Sequence, residues 1–172
     1  MLIDTHCHID MLDNPEGYLQ EKELDGGITI GMTNLPSHFE MGYSHFKNLK
    51  YSRLALGYHP LMVASNPNEL SLFKKNLSET SYIGEIGLDF SREGIGSKEK
   101  QVSLLRKILE CISGERKIIS VHSRRAEREL YGLLRRSVSI RSRRGLAALT
   151  LAASMPKVRY LVLIRPLLPR AS

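Results

Sequence analysis

Short apolar runs alternate with longer segments of mixed polarity along residues 1–130 of the chain. The runs are nearly continuous in apolar residues, which is typical of strands buried on both faces of a sheet. They span residues 2–10, 28–33, 54–60, 82–89 and 117–122. The predicted helices cover residues 14–24, a segment from 36, residues 68–78 and 98–112, and a stretch from 124. This repeated strand and helix order predicts an α/β fold with a parallel sheet covered by helices.

Polar residues stand at the carboxyl ends of four of the five predicted strands. They are His8 and Asp10, His59, Asp89 and His122. In a β/α barrel the carboxyl ends of the strands face one mouth, where active sites are built, so we expect these residues to converge there. His38 and His45 instead lie in the second predicted helix, with no converging donors around them, and are expected to be solvated.

The first predicted strand places two histidines two residues apart. Because side chains alternate along a strand, one face carries Asp4, His6, His8 and Asp10. His6 and His8 can therefore reach the same ion, and neutral imidazole is the commonest metal ligand in proteins. Taken alone, the pair is equally compatible with two strand-end histidines that bind no metal.

The fourth predicted strand carries a carboxylate inside an apolar run. Glu85 is flanked by glycines and shares a strand face with Gly87 and Asp89. Burying a carboxylate without a partner is costly, so this pattern predicts a metal ion or another cation beside Glu85. The competing interpretation is an edge-strand charge that faces water.

The composition is that of a soluble globular protein. With 172 residues, 42% of them apolar, the chain is long enough for one domain with a sizeable core. Its two cysteines form no disulfide framework. The sequence also lacks the charged segment followed by an apolar run that would indicate export. We therefore expect a cytoplasmic location and no membrane partner.

Four motifs together resemble the TatD family of metal-dependent deoxyribonucleases, which are amidohydrolase-type TIM barrels. The resemblance covers residues 1–130, and its motifs occur in the family's order at strand ends. They are Asp4-Thr5-His6-Cys7-His8, Gly57-Tyr58-His59-Pro60, Gly84-Glu85-Ile86-Gly87-Leu88-Asp89 and Val121-His122-Ser123-Arg124. The implied fold is a partial β/α TIM barrel of the metallo-dependent hydrolase type.

The resemblance implies two divalent ions, Mg, Mn or Zn, and hydrolysis of phosphodiester bonds in DNA. By motif, His6 and His8 correspond to ligands of the first ion, Glu85 to the ligand shared by both ions, and His122 to a ligand of the second. His59 and Arg124 correspond to substrate-binding positions. The family also uses a further histidine and a late aspartate, yet no histidine follows His122 and no acid follows Glu129. Each ion would therefore lack one protein ligand.

Residues 131–172 differ in composition from the rest of the chain. Residues 1–130 carry a net charge of −2. Residues 131–172 contain nine Lys and Arg and no acid, so the net charge of +7 comes entirely from this second part. We interpret residues 131–172 as an out-of-frame or truncated remainder of a longer barrel. The competing interpretation is a basic arm that binds nucleic-acid backbone.

Three functions remain compatible with these features. The first is a TatD-like deoxyribonuclease, impaired by the missing ligands. The second is a catalytically inactive binding or scaffold subunit, with a protein partner or self-association through an exposed sheet edge. The third is a related hydrolase of a different ester or amide, because metal-activated water is not specific for phosphate.

Overall fold

The computed structural model describes residues 2–113, 115–139, 147–148, 151–152 and 159–166 of the chain. The strands are β1 Ile3–Cys7, β2 Ile28–Gly31, β3 Ser52–Leu54, β4 Tyr82–Asp89, β5 Lys117–Arg124, β6 Ala147–Ala148, β7 Leu151–Ala152 and β8 Arg159–Pro166. The α-helices are α1 Pro15–Asp25, α2 Pro36–Phe46, α3 Leu70–Asn76, α4 Lys98–Cys111 and α5 Glu127–Ser139. Short 3₁₀ helices span Ile9–Met11, Pro60–Met62, Leu77–Glu79 and Ile95–Ser97.

The first five strands form a parallel array in chain order. β1, β2 and β3 pair in parallel, and so do β4 and β5. A parallel bridge between Leu56 and Ile83 joins the two groups. Each strand is followed by a helix, so the predicted α/β fold with parallel strands, part of a β/α barrel, is confirmed. The carboxyl ends of all five strands therefore face one mouth.

The core lies between this array and the helices. Phe39 of α2 and Phe73 of α3 are fully buried, as is Leu105 of α4. Burial of one apolar face per helix is what a helix packed on a parallel sheet requires. α1 begins as predicted, because the Asn14 side chain accepts a hydrogen bond from the Gly17 N–H at 3.0 Å. None of the described helices is long and apolar enough to span a bilayer.

The predicted boundaries of several elements were wrong. β1 ends at Cys7, and Asp10 lies in a 3₁₀ helix rather than on the strand face of His6. β3 is Ser52–Leu54 instead of residues 54–60, because the chain leaves the sheet to bring His59 to the mouth. α5 begins at Glu127, three residues later than predicted, because β5 continues to Arg124. Strand ends are decided by backbone pairing, which an apolar run does not specify.

One later strand, β8, pairs with β5 in the opposite direction. β8 runs antiparallel to β5, with Lys117 opposite Ile164, and both β6 and β7 pair with β8. The parallel pattern did not predict this pairing, which satisfies backbone groups along one edge of β5. Within the described ranges β1 pairs only with β2. Self-association through an open sheet edge therefore stays a prediction, with the free side of β1 as the edge concerned.

Candidate metal centre

Glu85 lies at the middle of a ring of four histidines at the mouth of the parallel array. It comes from β4 and is 2% exposed. The histidines come from three other places: the end of β1, the loop after β3, and β5. They are His6, His8, His59 and His122. The predicted convergence of residues distant in sequence is therefore present, and an edge charge facing water is the wrong interpretation of Glu85.

The first donor group consists of His6, His8 and Glu85, whose donor atoms all lie within 4.8 Å of one another. Glu85 Oε2 lies 3.6 Å from His6 Nε2 and 3.3 Å from His8 Nε2, and the two ring nitrogens are 3.2 Å apart. Ser120 Oγ lies 2.8 Å from His6 Nδ1, so a hydrogen bond holds that ring nitrogen while Nε2 faces Glu85.

The second donor group consists of His59, Glu85 and His122, again within 4.8 Å. His122 Nδ1 is 3.1 Å from Glu85 Oε1, and His122 Nε2 is 2.9 Å from Asp89 Oδ2. His59 Nε2 is farther away, 3.8 Å from Glu85 Oε2. Glu85 is thus the residue common to both groups, which is the position that the family resemblance implies for it.

Charge and burial oppose each other in this ring. Burial alone would raise the pKa of Glu85, but its close contacts with His122, His6 and His8 outweigh burial and hold that pKa far below the ordinary value. Burial alone would lower the pKa of His122, but Glu85 and Asp89 raise it above the ordinary value. The carboxylate is therefore ionised and attracts cations to the mouth.

His59 differs from the other histidines in its hydrogen bonding. Its Nδ1 accepts the Leu61 backbone N–H at 3.3 Å, so a neutral ring carries its proton on Nε2, the nitrogen that faces Glu85. Burial lowers the pKa of His59 to about 4, so the ring is neutral near pH 7. In this tautomer His59 is a hydrogen-bond donor at the site, and a protonated nitrogen does not ligate a metal.

We expect the metal-free protein to lose stability through His59 as the pH falls from about 6.5 to about 4. Unfolding restores the ordinary pKa of the ring, so the unfolded chain takes up a proton that the folded site rejects. The loss begins below about pH 6.5 and reaches roughly 3 kcal/mol of the free energy of unfolding near pH 4. Urea denaturation of chelator-treated protein at a series of pH values measures it.

The matched pair of variants for this experiment is His59→Gln and His45→Gln. The His45 side chain is 58% exposed on α2, so the difference between the two variants isolates the effect of the buried His59 ring. His59→Gln should flatten the stability curve between pH 4 and 6.5. Both variants keep His122, whose raised pKa affects the free energy of unfolding with the opposite sign. The stabilisation by protonated His122 is present below pH 6.5 and is lost as the pH rises through the raised pKa. An unchanged slope for His59→Gln would contradict the role of its burial.

Other polar residues from the sequence analysis lie outside the two donor groups. Arg124 ends β5, with its side chain 55% exposed and Nη1 3.3 Å from Glu93 Oε2. This places it beyond the donor groups, and substrate binding stays its predicted role. Asp10 Oδ2 contacts Asn34 at 3.1 Å and His38 Nδ1 at 3.2 Å. The His38 side chain is 40% exposed, as expected, but it has an acidic partner that the sequence did not predict.

Two further polar side chains contact histidines of the donor groups, and no site role was predicted for either from the sequence. Ser120 contacts His6, and Asp89 contacts His122. Strand periodicity contained a signal for both, because Ser120 shares a face with His122 and Asp89 shares a face with Glu85. Only the pairing of β4 with β5 and the packing across the mouth bring them into contact.

The donor set fits divalent metal ions. Imidazole nitrogens and an ionised carboxylate are ligands for Zn and Mn, and a bound cation would satisfy nitrogens that otherwise face each other at 3.2 Å. His6 and His122 each turn one ring nitrogen toward Glu85, while the other ring nitrogen lies within hydrogen-bond distance of Ser120 or Asp89. Metal-ligating histidines commonly have this arrangement. The residues best placed to bind a metal are His6, His8, Glu85 and His122.

Comparison with known proteins identifies similar chains. A family model described as TatD related DNase matches residues 3–145. An uncharacterised metal-dependent hydrolase of Buchnera aphidicola is 25% identical over 143 residues, which are 78% of this chain and 54% of that protein. An uncharacterised metal-dependent hydrolase of Methanocaldococcus jannaschii is 27% identical over 151 residues, 80% of this chain and 57% of that protein.

Solved structures are similar over the same part of the chain. A TatD homologue from Escherichia coli K12 has a TM-score of 0.69 and 28% identity, covering 81% of this chain and 57% of that structure. A TatD family hydrolase from Entamoeba histolytica has a TM-score of 0.60 and 21% identity, covering 79% of this chain and 54% of that structure. This similarity supports the fold alone. The chain spans about half the length of the relatives it matches.

Proposed function

The chain belongs to the TatD-related DNase family, and from that premise we propose that it is a metal-dependent hydrolase that cleaves phosphodiester bonds in DNA. The observation that carries the proposal is the convergence of three histidines on one buried, ionised carboxylate, Glu85, at the mouth of the parallel array. The cytoplasmic location expected from the sequence remains a prediction.

His6 and His8 would hold one ion with Glu85, and His122 would hold a second ion with the same carboxylate. Bound divalent ions supply Lewis-acid activation of water and neutralise charge on phosphate oxygens. The mixture of imidazole and carboxylate suits Zn or Mn better than Mg. Ser120 would accept the Nδ1 proton of His6 and so leave Nε2 free to bind an ion.

The remaining predicted residues fit substrate contacts. His59 presents an N–H toward the donor groups, and a neutral donor there can bind a phosphate oxygen without competing for the ions. Arg124 lies on the rim, where its guanidinium can leave the exposed Glu93 for a phosphate. Pairing with an exposed acid is weak, so the exchange costs little.

A catalytically inactive binding or scaffold subunit is the second candidate. It is favoured by the small ligand set that the described residues bring together, three histidines and one carboxylate for two ions. The nine Lys and Arg of residues 131–172 would bind DNA backbone in either case. DNA binding alone therefore does not separate the two candidates, and cleavage has to be measured alongside it.

The decisive experiment measures DNA binding and cleavage on one protein series. We expect the double substitution His6→Ala, Glu85→Ala to retain DNA affinity within about threefold at low salt, because backbone electrostatics dominate. Metal-dependent cleavage should disappear, because the variant loses a ligand and the shared carboxylate. Fluorescence anisotropy at several salt concentrations reports binding. Cleavage of the same labelled strand with Mg, Mn or Zn reports hydrolysis.

The matched control is the double substitution Glu40→Ala, His45→Ala on α2, which makes the same chemical change at exposed positions. It should cleave like the unmodified chain, whose activity we expect to be weak because three histidines and one carboxylate are few ligands for two ions. Cleavage that persists in His6→Ala, Glu85→Ala would remove this centre from the reaction. Binding without cleavage under every metal would contradict the nuclease proposal and favour the inactive subunit. Cleavage of an ester panel but not of DNA would favour a related hydrolase.

A further inference from the structure

Asp89 is a fully buried carboxylate directly behind the second donor group. Its exposure is 0%, and it ends β4 four residues after Glu85. Its Oδ1 accepts the Ser91 backbone N–H at 2.8 Å, and its Oδ2 lies 2.9 Å from His122 Nε2. Its own backbone N–H donates to Gln101 Oε1 of α4 at 2.8 Å. The two carboxylate oxygens thus have different partners, one in the backbone and one in a candidate ligand.

His122 lies between two carboxylates that compete for its proton. Asp89 faces Nε2 at 2.9 Å and Glu85 faces Nδ1 at 3.1 Å, but a neutral imidazole has only one N–H. If the proton is on Nε2, Nδ1 is free to ligate an ion beside Glu85. If the proton is on Nδ1, it occupies the space between His122 and Glu85 and no ion can bind that nitrogen.

Buried geometry favours the proton on Nε2. Asp89 is held from two sides, by Ser91 and through its backbone by Gln101, whose Nε2 also donates to the Gly94 carbonyl at 2.8 Å. Gln101 is itself 1% exposed, so Asp89 has little freedom to turn away from the ring. A fixed acceptor behind a histidine sets both its tautomer and its orientation.

We propose that Asp89 is a positioning residue for His122, which holds the Nε2 proton so that Nδ1 presents a lone pair to the second ion. The inference rests on the proposed metal-dependent function and adds to it a residue outside the predicted ligand set. Asp89 itself does not contact substrate in this role. It acts through the orientation and tautomer of His122.

Asp89→Asn tests the tautomer while keeping the turn at Ser91. If the amide oxygen continues to accept the Ser91 N–H, the amide NH₂ faces His122 Nε2, which must then accept a hydrogen bond. The ring proton moves to Nδ1, between His122 and Glu85. We expect the weaker of two Zn²⁺-binding steps to lose about 10- to 100-fold in affinity, measured by competition with a chromophoric chelator.

The tautomer is read directly by ¹⁵N NMR of the histidine rings in metal-free protein, at a pH high enough for the ¹⁵N shifts to show that the His122 ring is neutral. The unmodified chain should show His122 protonated on Nε2, and Asp89→Asn should show it protonated on Nδ1. The matched control is Asp10→Asn, which removes a carboxylate from His38, a histidine outside the donor groups. This control should leave both the His122 tautomer and Zn²⁺ affinity unchanged.

Each outcome decides the inference. It is overturned if the unmodified chain carries the His122 proton on Nδ1. It is also overturned if a folded Asp89→Asn keeps both the His122 tautomer and the Zn²⁺ affinity of the unmodified chain. If Asp89→Asn fails to fold, the NMR of the unmodified chain still decides. If the unmodified chain binds no Zn²⁺, the proposed function fails, yet the tautomer in metal-free protein reports on Asp89 independently.

Discussion

Replacing Glu85 by glutamine should abolish divalent metal binding at both donor groups and lower metal-dependent hydrolysis at least about 100-fold. Glu85 belongs to both groups, so one substitution removes the shared ligand. The amide of glutamine has nearly the same shape but no charge, and neutral amides are poor ligands for Zn or Mn. Calorimetric titration of chelator-treated protein with Zn²⁺ measures the metal affinity.

Glu40→Gln on α2 is the matched control, because Glu40 is exposed and pairs with Lys75 at the surface. It should bind Zn²⁺ like the unmodified chain. Circular dichroism of both variants separates loss of metal from loss of fold. Two ions bound with unchanged affinity by a folded Glu85→Gln would show that this carboxylate is not the shared ligand, and the proposed function would lose its main support.

Replacing Gly87 by alanine should destabilise the protein by more than about 4 kcal/mol or prevent it from folding. Gly87 has φ of +146°, and a Cβ there would lie 2.0 Å from the His122 carbonyl oxygen. Gly87 pairs directly with His122 in the β4 and β5 register, so the strands would have to separate at the donor group. Rigid backbone cannot accommodate such an overlap as a flexible side chain can.

Gly96→Ala is the matched control for this experiment, since a Cβ at Gly96 meets no atom within 4 Å. Its urea midpoint should stay close to that of the unmodified chain. Urea denaturation and the soluble yield of both variants measure the difference. A Gly87→Ala variant as stable as Gly96→Ala would mean that the β4 and β5 register differs from the one described.

Sequence periodicity was sufficient to predict the alternation of strands and helices. Parallel strands buried on both faces need nearly continuous apolar runs, and β4 begins at Tyr82 and ends at Asp89 as its apolar run predicts. The H-x-H spacing predicted that His6 and His8 reach a common point, because strand geometry fixes the side-chain alternation. A carboxylate inside an apolar run predicted that Glu85 needs a cationic partner.

Only the tertiary structure decided which distant residues meet and through which atoms. The loop after β3 brings His59 to 3.8 Å from Glu85, and the Leu61 N–H makes it a donor. Asp89 meets His122 because β4 and β5 pair in one register. Such contacts depend on strand pairing and loop paths between residues far apart in sequence. Local patterns specify the type and the face of an element, whereas hydrogen-bond partners and tautomers are set by the packing of one element on another.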